Sequence, residues 1–212
     1  MALKIMDESR LANSTKSIQA LEYAIKHGAK ISSNSYGGIG VGKCQHYLAL
    51  LKDVLSKSPE HLFVAAAGND DNNNDDVPAC PCNADVTNVI CVAASTKEKE
   101  KWKLSNFGPK TVDVFAPGED IASLWKIHGK AEHEYRTSSG TSMATPFVSG
   151  LAGLILSIKN VLSGGEVKKL ITENVQSMSS RQVSSGGLID IAKTLKHLSM
   201  YAVITFWCYM LD

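Results

Sequence analysis

The chain has 212 residues, 44% of them hydrophobic and 20% charged, which is enough apolar material for one ordinary globular domain and excludes a short disulfide-stapled peptide. Its 22 Lys and Arg stand against 21 Asp and Glu, a formal charge of +1, so no basic field draws it to nucleic acid or anionic lipid. No window repeats at a fixed period and no 18-residue apolar run is evident, which excludes repeat arrays and ordinary transmembrane spans.

The amino terminus, MALKIMDESR, has neither an apolar core behind basic residues nor a small-residue cleavage site, so it does not read as a secretory signal. Leu3 to Met6 is a short strand candidate. Ser14 then caps a helix in which Ile18, Leu21 and Ile25 recur at helical spacing up to His27-Gly28, where glycine allows a left-handed cap. Ile31 to Tyr36 is a second strand, closed by Gly37-Gly38. Leu48, Leu51 and Leu55 form the apolar face of another helix that ends before Pro59. Leu62 to Ala67 is an apolar run of the length of a strand buried on both faces. Strand and helix alternate, which predicts a mostly parallel sheet between helical layers, an α/β fold.

The segment Gly68 to Asp76, rich in Asn and Asp, reads as a solvated loop, and its carboxylate spacing does not match an EF-hand. Val89 to Ala93 and Val112 to Phe115 are two more strands, the second stopped by Pro117-Gly118. A helix beginning near Thr141 carries Phe147, Leu151, Leu154, Ile155 and Ile158 inward, and shorter helices cover Glu166 to Asn174 and Ile189 to Leu198. Tyr201 to Leu211 is an apolar run about half the ~20 residues that cross a bilayer as a helix, so no membrane contact is expected. The five cysteines, Cys44, Cys80, Cys82, Cys91 and Cys208, are too few and too oddly placed for a disulfide framework. Cys80-Pro-Cys82 lacks the two-residue spacer of a zinc site, and no metal site is expected.

Two segments could carry chemistry. Gly37 to Cys44 nearly spells the phosphate loop GxxxxGK[ST], but Cys44 lacks the hydroxyl that holds Mg²⁺, and the strand before it is polar. A glycine-rich turn is the better reading. In Ser139-Gly-Thr-Ser-Met-Ala-Thr-Pro146 small residues turn the backbone onto the start of an apolar helix, with Ser142 near unpaired N–H groups and the positive helix end. An oxyanion would be stabilised there; on spacing alone the same serine could serve as an N-cap. Ala144 rules out the GxSxG elbow and weakens an α/β-hydrolase reading.

The string Gly140-Thr-Ser-Met-Ala-Thr-Pro146 resembles the nucleophile motif of the subtilisin-like serine proteases. Ser35-Tyr-Gly-Gly38, Val64-Ala-Ala-Ala-Gly-Asn69, Phe115-Ala-Pro-Gly118 and Gly186-Gly-Leu-Ile-Asp190 follow in the family's order, and the likeness runs from about Leu3 to Leu195. Phe147 departs from it, standing where the family commonly has His. The resemblance implies a three-layer α/β sandwich, Ser142 as nucleophile, and Asn69 as oxyanion donor beside the Ser142 N–H. It also implies a substrate channel with Ser35, Tyr36 and Gly37 on one side and Ala67 and Gly68 on the other, open to large apolar side chains.

A serine nucleophile needs a base and a carboxylate to orient that base. The family's order puts both ahead of Leu3. None of His27, His46, His61, His128, His133 and His197 continues into the family's small-residue helix, and Asp7 lacks the expected Thr/Ser-Gly. Residues 1–198 are therefore expected to be the C-terminal part of a subtilisin-like peptidase domain, with 199–212 an apolar tail that resembles nothing in the family. Complete, such a domain implies a monomeric serine endopeptidase acting on polypeptides in the secretory pathway or outside the cell, with no certain cofactor and structural Ca²⁺ as a family trait. This chain alone is expected to be inactive. The rival readings are a peptide-binding pseudoenzyme and, third, a P-loop-like nucleotide binder.

Overall fold

The computed structural model describes residues 1–6, 14–39, 41–126 and 133–198; the tail lies outside them. Six strands form the main sheet in the order β1-β3-β5-β6-β10-β9. They are Ile31–Asn34 (β1), Leu62–Ala66 (β3), Val89–Ser95 (β5), Val114–Pro117 (β6), Val175–Ser177 (β9) and Gly187–Ile189 (β10). All neighbours are parallel except β9, which runs antiparallel to β10. Helices α1 (Ser14–Lys26) and α2 (Val41–Ser56) lie on one face, and α3 (Thr141–Ile158), α4 (Gly164–Glu173) and a last helix, residues 191–198, on the other. This is the expected three-layer α/β fold.

Side-chain alternation assigns the two cores. Leu62, Val64, Ile90, Val92, Val114 and Ala116 pack against α3 and α4, while Phe63, Ala65, Val89, Cys91 and Phe115 pack against α1 and α2. Strands β3 and β5 are buried along their whole length, which is why they read as continuous apolar runs. Helix α1 buries Ser17, Ile18, Leu21 and Ala24 and ends before Gly28, whose φ of +80° bears out the left-handed cap.

Several expectations need correction. Leu3 to Met6 is not a strand: only Met6 makes a bridge, and a groove of about 520 Å³ is lined by Leu3, Ile5 and Met6 together with β1. Strand β1 stops at Asn34, and Gly38–Ile39 (β2) pairs instead with Ala79–Cys80 (β4). Strand β6 begins two residues later than read, at Val114, and Ile189 ends a strand rather than opening a helix. A hairpin, Ile121–Lys126 (β7) with His133–Ser138 (β8), was not foreseen.

On α3, Leu151 and Ile155 are buried as expected, with Ala144, Val148 and Ala152. Phe147, Leu154 and Ile158 face outward at 39%, 46% and 59% exposure. The helix is apolar around most of its girth, long and apolar enough by composition to cross a membrane, so composition does not choose its face. The small Ala144 and Ala152 do, because they let the helix approach the sheet.

Four of the five cysteines form disulfides, Cys44–Cys80 and Cys82–Cys91, contrary to the sequence expectation. The pairing depends on β4 folding back beside α2 and β5, an approach that spacing does not encode. Cys44 is thereby taken up in a crosslink.

Candidate active site

Helix α3 has no local side-chain cap: Gly140 precedes it at φ +153°, a backbone region that L side chains rarely adopt. The cap comes from the end of β3. Asn69 Oδ1 accepts from the Thr141 backbone N–H at 2.9 Å, and the buried Thr141 hydroxyl lies 3.0 Å from the same oxygen. A backbone N–H can only donate, so this bond fixes which way the amide points. The Asn69 NH₂ has no hydrogen-bond acceptor among the described residues, and Asn69 lines the cleft.

Ser142 sits in the first turn and does not act as a cap. Its hydroxyl donates to the Ser35 carbonyl at 3.1 Å, while the Ser35 hydroxyl donates to the Ser142 carbonyl at 2.8 Å. The Ser142 N–H is among the first-turn groups without an intrahelical acceptor. This N–H and the Asn69 side chain thus meet at one cleft by the positive helix end, where developing negative charge is stabilised.

The cleft measures about 380 Å³ and brings together Ser35, Tyr36, Gly37, Gly68, Asn69 and Ser142 from the predicted set, with Met6, Gly38, Ala66, Asp70 and Thr141. Ala67 does not belong to it. That residue is fully buried against the α1 and α2 layer, and Ala66, one pleat away, lines the cleft instead. Tyr36 turns toward α2, where its hydroxyl meets that of Tyr47 at 3.2 Å; burial pushes both phenols up, so both stay neutral. No histidine or carboxylate among the described residues hydrogen-bonds the Ser142 hydroxyl.

The Asn-rich segment after Asn69 is not a merely solvated loop. Asn74 and Asn106 are fully buried, and both donate to the Ala67 carbonyl, at 2.9 and 3.0 Å. Asn106 Oδ1 accepts from the N–H groups of Asp70 and Asn72, at 2.8 and 3.1 Å. These two amides replace the hydrogen bonds that β3 loses as it ends, and so hold the turn that presents Asn69. Sequence reasoning missed both, since asparagine in a polar run ordinarily signals solvent.

Three carboxylates of the Asn-rich segment are already partnered within the protein. Asp75 accepts from Thr111 Oγ1 at 2.6 Å, Asp76 from Asn73 Nδ2 at 2.6 Å, and Asp71 pairs with Lys101 at 2.5 Å. Among the described residues no three His, Cys, Asp or Glu side chains converge.

Residues 1–187 match the family model described as the subtilase family. Thermitase from Thermoactinomyces vulgaris is 34% identical over 161 residues, covering 74% of this chain and 51% of its own length. Alkaline protease 1 from Emericella nidulans is 42% identical over 120 residues, 55% of this chain and 28% of its own. The chain thus spans about half, or less, of these curated relatives. Among solved structures, the prenylagaramide maturation protease PagA superposes with a TM-score of 0.75 at 27% identity, covering 91% of this chain and 70% of that one. With the family's blocks in order and the Ser142 and Asn69 geometry at their junction, the chain belongs to the subtilase family.

Proposed function

We propose that this chain is the nucleophile and oxyanion half of a serine endopeptidase, which hydrolyses peptide bonds through an acyl-enzyme on Ser142. One observation supports the reading: Asn69 and Ser142 line the same cleft, and the Thr141 backbone N–H holds the Asn69 oxygen, which leaves the NH₂ as the donor. A fixed donor needs little reorganisation when charge develops on the attacked carbonyl. Ser35, Tyr36 and Gly37 offer a backbone edge to an extended peptide. Ala66 and Gly68 leave the opposite wall low, which favours a large apolar side chain before the scissile bond. Two disulfides support an oxidising compartment, in keeping with secretion.

Attack needs a base to take the Ser142 proton, and the hydroxyl is instead tied to the Ser35 carbonyl. The 212-residue chain alone therefore binds peptide without turning it over. A fluorophosphonate probe should label it almost not at all, and a chromogenic peptide should stay intact. A longer chain, in which a subtilase segment bearing the Asp and His precedes Met1, should do both, and Ser142→Ala should abolish both. Strong labelling of the 212-residue chain, blocked by Ser142→Ala, would show that no such base is needed. No labelling of the longer chain would remove Ser142 from its role.

A further inference from the structure

The wall formed by residues 35–38 is poorly held by its own secondary structure. Strand β2 is two residues long and, among the described residues, pairs with the two-residue β4 alone, Gly38 opposite Cys80 and Ile39 opposite Ala79. A ladder this short does not persist by itself in water. Three ties hold the wall in place. Ser35 exchanges two hydrogen bonds with Ser142, and Tyr36 is met by Tyr47 of α2. Gly37 lies hard against Cys80: a Cβ at position 37 would stand 2.5 Å from the Cys80 carbonyl oxygen. Cys80 is in turn bonded to Cys44 near the start of α2, with the two Cα atoms 5.7 Å apart.

We infer that the Cys44–Cys80 disulfide is a positioning element for the peptide-binding edge. It anchors the backbone on which Gly37 and Gly38 rest to the same helix that holds Tyr36. The edge is thereby set at a fixed distance from Asn69 across the cleft. The inference rests on the reading of this edge as a peptide site. The neighbouring Cys82–Cys91 bond has a different setting: both of its residues are buried, and Cys91 belongs to the central strand β5 in the core beneath α1 and α2. Its loss should loosen the core rather than the edge.

The test compares Cys44→Ala/Cys80→Ala with Cys82→Ala/Cys91→Ala in the 212-residue chain by two independent readouts. These are amide hydrogen exchange and the anisotropy of a fluorescein-labelled Ala-Ala-Ala-Phe peptide. In the first variant, protection of the amides at 35–39 and 79–80 should fall at least tenfold with that of β3 and β5 unchanged, and the peptide Kd should rise at least tenfold. The second variant should lower the melting temperature at least as much, yet keep the Kd within threefold. Gly37→Ala, with both disulfides intact, should reproduce the local loss, and the single variant Cys44→Ser takes the place of the double variant if that does not fold. Unchanged exchange at 35–39 in these variants, or protection lost everywhere in step with melting temperature, would overturn the inference. If the local exchange result holds but the parent chain binds no peptide, the positioning stands and the peptide-site reading falls.

Discussion

Asn69 lines the cleft with its oxygen committed to the start of α3, which leaves its nitrogen as the available donor. That commitment makes its replacement informative. In the longer chain with a restored base, Asn69→Ala should lower kcat by roughly 10²–10³ with KM nearly unchanged, because the amide meets charge that exists mainly in the transition state. The magnitude is that of removing an oxyanion donor from a subtilisin, not one obtained from this chain. A tenfold rise in KM with kcat intact would make Asn69 a ground-state binder. At this scale the meeting of Ser142 and Asn69 in one cleft was legible because their motifs are long and specific. Ala67 was misplaced by one residue, since an unbroken apolar run does not show which of its alternate positions faces the cleft.

Helix α3 shows the limit of the same reasoning one level up. Its apolar residues cover most of the surface, so the inward list drawn from spacing mixed two faces. Leu151→Ala should cost about 2–5 kcal/mol, because a fully buried side chain leaves a cavity against the sheet. Leu154→Ala, on the outer face, should cost about 0.5 kcal/mol or less. Chemical denaturation of the two variants decides it, and equal losses would put Leu154 in the core. Strands β3 and β5 were legible because burial on both sides demands an uninterrupted apolar run. The pair β2 and β4 was not, since two residues carry no periodicity. The start of α4 was read two residues late, at Glu166 instead of Gly164, although Ser163 and Glu166 form a capping box, each accepting from the other's backbone N–H.

Across the whole molecule, the junctions between distant segments were the least legible. Two disulfides, the Asn74 and Asn106 bonds, and His61 all depend on approaches that the sequence does not encode locally. His61 is almost fully buried; its Nδ1 donates to the Ala29 carbonyl at 2.7 Å and its Nε2 accepts from Ser32 Oγ at 2.9 Å, tying β3 to the turn before β1. Burial holds its pKa below the ordinary 6.5, so the folded chain keeps it neutral while the unfolded chain protonates it. Its contribution is fully present above that value and lost as pH falls from it toward the lower folded pKa. The slope is at most about 1.4 kcal/mol per pH unit. Urea titrations at about pH 7.5 and pH 5.5 should show this acid loss in the parent and a smaller one in His61→Gln. Equal acid losses would assign the effect to other groups.

The reciprocal bonds between Ser35 and Ser142 act as a latch on the nucleophile. On the proposed function, the Ser35 carbonyl that tethers the hydroxyl also belongs to the edge offered to an extended peptide. Docking and release then become one exchange, in which a substrate N–H displaces the serine O–H from a shared oxygen. A ligand that reaches this carbonyl would loosen the tether on the Ser142 hydroxyl, whereas one too short to reach it would leave the hydroxyl tethered. The free-energy difference between the two acceptor occupancies then lowers the apparent affinity of every peptide that must open the latch.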